Sequence, residues 1–530
     1  MRSTTTQDTG LQIRRLLDHG SRAFATSTIV TAGEEGHSIT TYAETGRNAA
    51  RLAGALRAIG VGAGDRVATF MWNNQRHVEA YLAVPAMGAV IHPLNIQLFP
   101  EQVAYIANHA EDQVVIVDHS LLPAFVPLLS GLRSVRHVVV NGPADLSALE
   151  AVGVQPHSYE ELLHGGSDSY PWPDVDERSA AAMCYTSGPS GPSGSTGEPQ
   201  GAVHSHRSIC LHAMTASLSD ALALSRQDLV LAVVPQFHAL AWSLPYAAFL
   251  TGASLAMPDR FVAPEPLAAF MADVRPTKGV GVSSVWGSLF RYLEAHPEID
   301  ISCVNEIVTG GAAAPESMIT AYAERHGITL TGGGGTTGAS PLGSTESALL
   351  GSEAESIDEQ GDELPWDGGP VGELQVGDAE DVGRISPEDR LPPEDRLSLD
   401  DCLPSEDQVP LNDQVPLNDR VQDIIKCGDE WISSVELEDY LTEHPAVLAA
   451  CVIAVPDDKW GERPMACVVF AEGPVDASEL KGFLSDRVTR WQVPERWVFL
   501  PAIDMTPTGT YDKRSLREQY ANGTLPVVMT

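Results

Sequence analysis

Residues 184–208 read CYTSGPSGPSGSTGEPQGAVHSHRS, a run of glycine, serine, threonine and proline between the apolar stretches AAAMCY and GAV. Small residues in such a loop let backbone N–H groups close on an anion, and a lysine among them adds a point charge for phosphate. Here the loop is stretched by the tandem PSG-PSG from Pro189 to Gly194, and the neutral amide Gln200 stands just ahead of Gly201. A flexible linker has the same composition, so taken alone the segment leaves both readings open.

The surrounding chain narrows them. Helical and β-branched segments alternate over roughly the first 400 residues, which predicts an α/β domain with mostly parallel sheets. Val114 to Val117 and Val138 to Val140 read as short buried strands. A length of 530 residues predicts more than one domain, and 43% hydrophobic content supplies ample core. The formal charge of −38 repels nucleic acid and anionic membranes, so any site for an anionic ligand must be locally basic. Seven cysteines without CxxC or Cys/His ligand spacing fit a reduced cytoplasm and predict neither a disulfide scaffold nor a metal site. The opening MRSTTTQDTG is polar and is no leader. The apolar run 239–257 is broken by Ser243, Pro245, Thr251 and Gly252, and reads as a buried helix leading into a strand rather than a membrane span. Residues 353–423 are dense in Asp and Glu and hold the short tandem copies PEDRL-PPEDRL and QVPLND-QVPLND, which look like duplicated loop segments.

Without Pro189 to Gly194 the first loop becomes YTSG-STGEPQG, which resembles the TSG-[ST]TG-x-PKG loop of the acyl-CoA synthetases in the adenylate-forming superfamily. GDRVATFMWNN, YLAVPAMGAVIHPLN, VVPQFHALAW, IVTGGAAAPESM, TTGASPLGS, DRVQDIIKCGDEWISSVELEDYL and TPTGTYDKRSLR follow in that family's order. The resemblance implies a large N-terminal α/β domain of several subdomains over residues 1–418 and a small mobile C-terminal α+β domain over 419–530. The family first joins a carboxylate to ATP as an acyl-adenylate, then passes the acyl group to coenzyme A.

On that resemblance Gln200 stands where a phosphate-binding lysine belongs, Gly338 where a glutamate holds magnesium, Gly334 where a tyrosine stacks on adenine, and Thr510 where a lysine bridges carboxylate and α-phosphate. Lys513 follows three residues later, and the family often carries a lysine there too. The parts of the second step remain. Phe237 and Trp242 match the acyl pocket, and His238 matches the gate or base for the thiol; a lone histidine is also a common structural residue. Gly310, Gly311, Ala312, Ala313, Gly333, Gly334, Gly335, Thr336 and Thr337 match the adenylate wall, and Arg420 a ribose contact. Asp401 is the nearest stand-in for the family's ribose aspartate, with a solvated acidic loop as the other reading. Lys426, Gly428 and Asp429 fall on the coenzyme A tunnel loop, whose Trp431 joins His238 as a catalytic candidate; Asp429, where the family has glycine, crowds that tunnel. Lys459 reads as a coenzyme A phosphate contact or a solvated turn.

The chain thus resembles the non-adenylating acyl-CoA ligases of platensimycin-type diterpenoid pathways. This implies an acyl-adenylate made by a partner adenylating ligase, coenzyme A as acceptor, AMP as leaving group, no working Mg-ATP site, and neither nucleic acid nor membrane as partner. A non-enzymatic scaffold and a complete ATP-dependent ligase with an unusual phosphate grip remain as alternatives.

Overall fold

The computed structural model describes residues 9–186, 200–219, 221–310, 316–332, 354–357, 373–376, 382–385, 425–427, 430–432, 434–457, 461–471, 473, 475–485, 487–488, 492–506 and 511–529. Two large sheets dominate the N-terminal part. One is ordered Thr329–Gly332, Glu306–Gly310, Lys278–Val282, Leu229–Ala232, Ser254–Met257, Thr28–Ala32, His37–Thr41, parallel throughout except for the last pair. The other is ordered Val382–Ile385, Gln200–Ser205, Ala180–Thr186, Val90–Pro93, Arg66–Phe70, Val114–Asp118, His137–Asn141, Gln155–Ser158, with parallel pairing from Ala180–Thr186 onward. The two strands expected around Val114 and Val138 are both present, and the α/β class is the one the alternation implied.

Parallel strands covered on both faces need apolar side chains in both directions. Val114 and Ile116 enter the core shared with Ala182, Ile209 and Trp242, while Val115 and Val117 enter a second core with Phe70, Phe125 and Val140. In the other sheet Val230 and Ala232 face the shared core, and Leu231 and Val233 face a third one built around Trp286 and Tyr322. A separate sheet near the C-terminus joins Glu430–Ile432, Ile425–Cys427, Gly461–Phe470, Arg496–Phe499 and Val527–Met529, with Val447–Asp457 also paired to Gly461–Phe470. Its own core holds Ile432, Leu441, Val452, Val468 and Trp497. The proposed boundary at 418/419 lies outside the described residues. Among the described residues no helix is long and apolar enough to cross a membrane.

The apolar run at 239–257 does give a buried helix and a strand, but the helix is Leu244–Thr251 and the strand Ser254–Met257. Helix does not extend back to Ala239, because Pro245 has no N–H to donate to the carbonyl four residues earlier. The helix ends on Gly252, whose φ of +82° is open to glycine and strained for other residues. A Cβ there would also lie 2.3 Å from the Phe24 ring. Gly252→Ala is therefore expected to lower stability by about 2–4 kcal/mol, combining left-handed strain with overpacking. Chemical denaturation reads this directly, and a change under about 0.5 kcal/mol, the range of neutral surface substitutions, would contradict the packed left-handed cap.

Candidate functional site

Ligands of open parallel sheets bind across the C-terminal ends of the strands. Four adjacent parallel strands, Leu229–Ala232, Lys278–Val282, Glu306–Gly310 and Thr329–Gly332, end at one such edge. From it emerge the segment carrying Phe237 and His238, the segment after Gly310, and the segment after Gly332. The segments with the expected acyl-pocket residue Phe237, the gate candidate His238 and two runs of expected adenylate residues therefore start from a common edge. Gly310 is buried at its strand end; Gly311, Ala312, Ala313, Gly333, Gly334, Gly335, Thr336, Thr337 and Gly338 lie outside the described residues. Ser283 Oγ and Thr309 Oγ1, 2.9 Å apart, tie two of these strand ends together. Sequence reasoning overlooked Ser283, although a serine directly after the apolar strand KGVGV was a signal for this edge.

The segment 233–238 is clamped from both sides. The Val233 and Val234 N–H groups both donate to the Val280 carbonyl, at 2.8 and 2.9 Å. The Asn73 amide donates to the carbonyls of Ala232 (2.8 Å) and Val234 (2.6 Å), and its oxygen accepts from the Gln236 N–H at 2.8 Å. The Tyr81 hydroxyl closes on the Gln236 carbonyl. His238, half-buried, donates its N–H to the Pro235 carbonyl at 3.0 Å.

Ala239, Leu240, Ala241, Trp242 and Ser243 then form a left-handed turn, with φ between 42° and 57° at every residue. Each non-glycine residue so placed is disfavoured by about 1–2 kcal/mol, so the turn persists only because contacts hold it. The Ala241 N–H donates to the His238 carbonyl at 2.8 Å, and Ser243 Oγ lies 2.8 Å from His212 Nδ1. Trp242 in the turn and Phe237 before it, both expected in the acyl pocket, are both buried. No periodicity in the sequence announces such a conformation.

Ala180–Thr186 and Gln200–Ser205 form an antiparallel pair in which Thr186 faces Gln200, so the altered phosphate loop is the connection of this hairpin. Residues 187–199 lie outside the described residues. Gly201 is required by its neighbour, since a Cβ there would stand 3.0 Å from the Tyr185 ring. At the C-terminus Ile425–Cys427 and Glu430–Ile432 form a second hairpin, pairing Lys426 with Trp431 and Cys427 with Glu430. The intervening Gly428 and Asp429, together with Lys459, Asp401, Arg420 and Thr510, lie outside the described residues.

The chain's lysines are Lys278, Lys426, Lys459, Lys481 and Lys513, so the region ahead of the second hairpin has only Lys278. That lysine sits at the start of its strand, opposite the ligand-facing edge, bound to Glu306 at 2.7 Å and to the Leu222 carbonyl at 2.9 Å. Lys513 is also engaged: its ammonium donates to Ser434 Oγ at 2.7 Å and pairs with Glu438 at 2.9 Å, both carrying side chains little exposed to solvent. Among the described residues no group of three or more His, Cys, Asp or Glu is placed to hold a metal ion.

The chain belongs to the AMP-binding enzyme family. The family model matches residues 18–379, and the AMP-binding enzyme C-terminal domain matches residues 436–510. The chain is 38% identical to the long-chain-fatty-acid–CoA ligase of Thermus thermophilus, over 98% of this chain and 97% of that one. It is 36% identical to the 3-methylmercaptopropionyl-CoA ligase of Ruegeria pomeroyi, over 96% and 97%. The crystal structure of the anthranilate CoA ligase AuaEII in complex with anthranoyl-AMP superposes with a TM-score of 0.81 at 19% identity, covering 98% of each chain, and this likeness carries the fold alone. The protein is an acyl-CoA ligase of the adenylate-forming superfamily.

Proposed function

We propose that this ligase performs only the second half of the family reaction: it binds a preformed acyl-adenylate, directs the coenzyme A thiol onto the acyl carbon, and releases AMP. The observation that carries this reading is the joint replacement at Gln200, Gly338 and Thr510, in a chain whose nearest substitute cation, Lys513, is held by Glu438 and Ser434. Adenylation develops negative charge on phosphoryl oxygens, and one lost electrostatic contact typically lowers the rate by about 10²–10³. Such losses are not additive, but missing cations and a missing metal ligand strike the same transition state. Glycine at 338 offers magnesium no carboxylate where the family has a glutamate, and no step here is routed through the metal.

Thioester formation asks for less. A thiol with a reference pKa of about 8.5 is partly ionised near neutrality, and AMP leaves readily. His238, beside the gate, is the candidate to take the thiol proton, with Trp431 and Lys426 on the hairpin that approaches the reacting carbon. Asp401 and Arg420 are proposed to hold the ribose and Lys459 the coenzyme A phosphates, and the glycines from Gly332 to Gly335 leave room for a bulky acyl group. A polycyclic terpenoid acid, supplied as its adenylate by a separate adenylating ligase in natural-product biosynthesis, fits such a site. The cysteine content places the enzyme in the cytoplasm on this reading.

Full-length likeness to complete ligases, over 96–98% of the chain, favours a second reading, in which adenylation survives with an unusual phosphate grip. Incubating purified protein with synthetic acyl-AMP and coenzyme A, and separately with acid, ATP and coenzyme A, separates the two. Acyl-CoA from the first mixture only is the expected result; acyl-CoA at comparable rates from both favours the complete ligase.

A further inference from the structure

Two deeply buried side chains have polar atoms with no hydrogen-bond partner among the described residues. His204 is 2% exposed, and among the described residues neither of its ring nitrogens has a hydrogen-bond partner. Burial lowers its pKa to about 4, so near neutrality it is an uncharged imidazole with one donor and one acceptor, both unmet. Gln236 is 1% exposed, and both the nitrogen and the oxygen of its side-chain amide are likewise unmatched. Interiors rarely leave such groups unpaired.

Their position is informative. His204 lies across from Ala182 in the hairpin that carries the phosphate loop, on a strand pair where Ala202 stands opposite Cys184. Ala182 and Cys184 belong to the same apolar core as Leu240, Ala241 and Trp242 of the left-handed turn. Burial, with His204 adding to it, pushes the His212 pKa down to about 3, and His212 in turn touches Ser243 at the end of the turn. Gln236 directly precedes Phe237. An apolar pocket for a plain hydrocarbon chain gains nothing from two desolvated polar groups, whereas a ligand atom that completes them is strongly selected.

We propose that the acyl group carries a hydrogen-bonding oxygen remote from its carboxyl, a ketone, ether or hydroxyl, and that His204 recognises it, with Gln236 as a second polar contact nearer the gate. This specificity rests on the reading that the acyl-adenylate binds against Phe237 and Trp242. It assigns the enzyme to oxygenated acids in preference to simple fatty acids of the same size.

The test uses stable acyl-sulfamoyl adenosines: a dodecanoyl analogue and a series in which one oxo group is moved along the same chain, each titrated calorimetrically into wild-type protein, His204→Leu and His204→Gln. For at least one oxo position the wild type is expected to bind at least about tenfold more tightly than the dodecanoyl parent, the effect of one buried hydrogen bond. His204→Leu should lose that preference while binding the parent at least as well, and His204→Gln should keep part of it. The wild-type arm stands without any variant. An oxo series that never exceeds the parent, or a preference unchanged in His204→Leu, overturns the proposal. Transfer to coenzyme A from the matching acyl-adenylates is measured in parallel: binding without transfer counts against the thioester reading alone, and transfer without oxo preference counts against this inference alone.

Discussion

Gly428→Trp is expected to abolish transfer from acyl-AMP to coenzyme A, by at least about 10²-fold in kcat/KM, the scale on which misplaced reactants lose rate. Gly428 and Asp429 connect Cys427 to Glu430 in the hairpin that pairs Lys426 with Trp431, and the family resemblance makes this hairpin the wall of the coenzyme A tunnel. An indole at position 428 fills the space through which pantetheine reaches the acyl carbon. AMP binding, measured by calorimetry, should persist, because the nucleotide contacts come from the other side of the gate. Thr510→Ala should leave transfer nearly unchanged, since on the proposed division of steps that position belongs to the adenylation this chain has lost. Transfer retained in Gly428→Trp, or a large loss in Thr510→Ala, would show that the two steps are divided differently over the C-terminal domain.

Thr510→Lys alone is expected to leave ATP-dependent activity at background. The lysine would supply one cation, but Gln200 and Gly338 would still leave the β- and γ-phosphates without a loop cation and the metal without its carboxylate. Removal of Pro189 to Gly194 together with Gln200→Lys, Gly338→Glu and Thr510→Lys is expected to raise acid-dependent adenylation by at least about 10³-fold over the single variant, given about 10²–10³ per restored contact and non-additive coupling. Pyrophosphate release in the presence of acid reads both variants. Substantial activity from Thr510→Lys alone would mean that the phosphate loop still works.

Much of this molecule was legible before its structure. Val114 to Val117 and Val138 to Val140 are continuous apolar runs, and such runs are stable only as strands covered on both faces, which is how they pack. The order of motifs carried the family, and the parallel sheet brings Phe237, His238 and Gly310 to one edge. What sequence could not announce is conformation forced by tertiary contacts. Ala239 to Ser243 has a helix-compatible composition, yet Pro245 stops a helix from reaching back, and the bonds of Ala241 to His238 and of Ser243 to His212 hold the segment left-handed. Equally hidden was the state of Lys513, a plausible replacement cation by position alone that is engaged by Glu438 and Ser434. The unmatched polar atoms of His204 and Gln236 were invisible for a related reason: whether a buried polar group has a partner depends on residues distant in the chain.

The central claim is that the protein cannot make the acyl-adenylate it consumes. Acid-dependent exchange of labelled pyrophosphate into ATP measures that step by itself, without requiring coenzyme A or the tunnel. With purified protein, magnesium and a panel of fatty, aromatic and oxygenated polycyclic acids, the expected exchange is indistinguishable from the protein-free blank, while the same preparation converts at least one synthetic acyl-AMP and coenzyme A into acyl-CoA and AMP. Robust exchange with any acid in the panel would contradict the account.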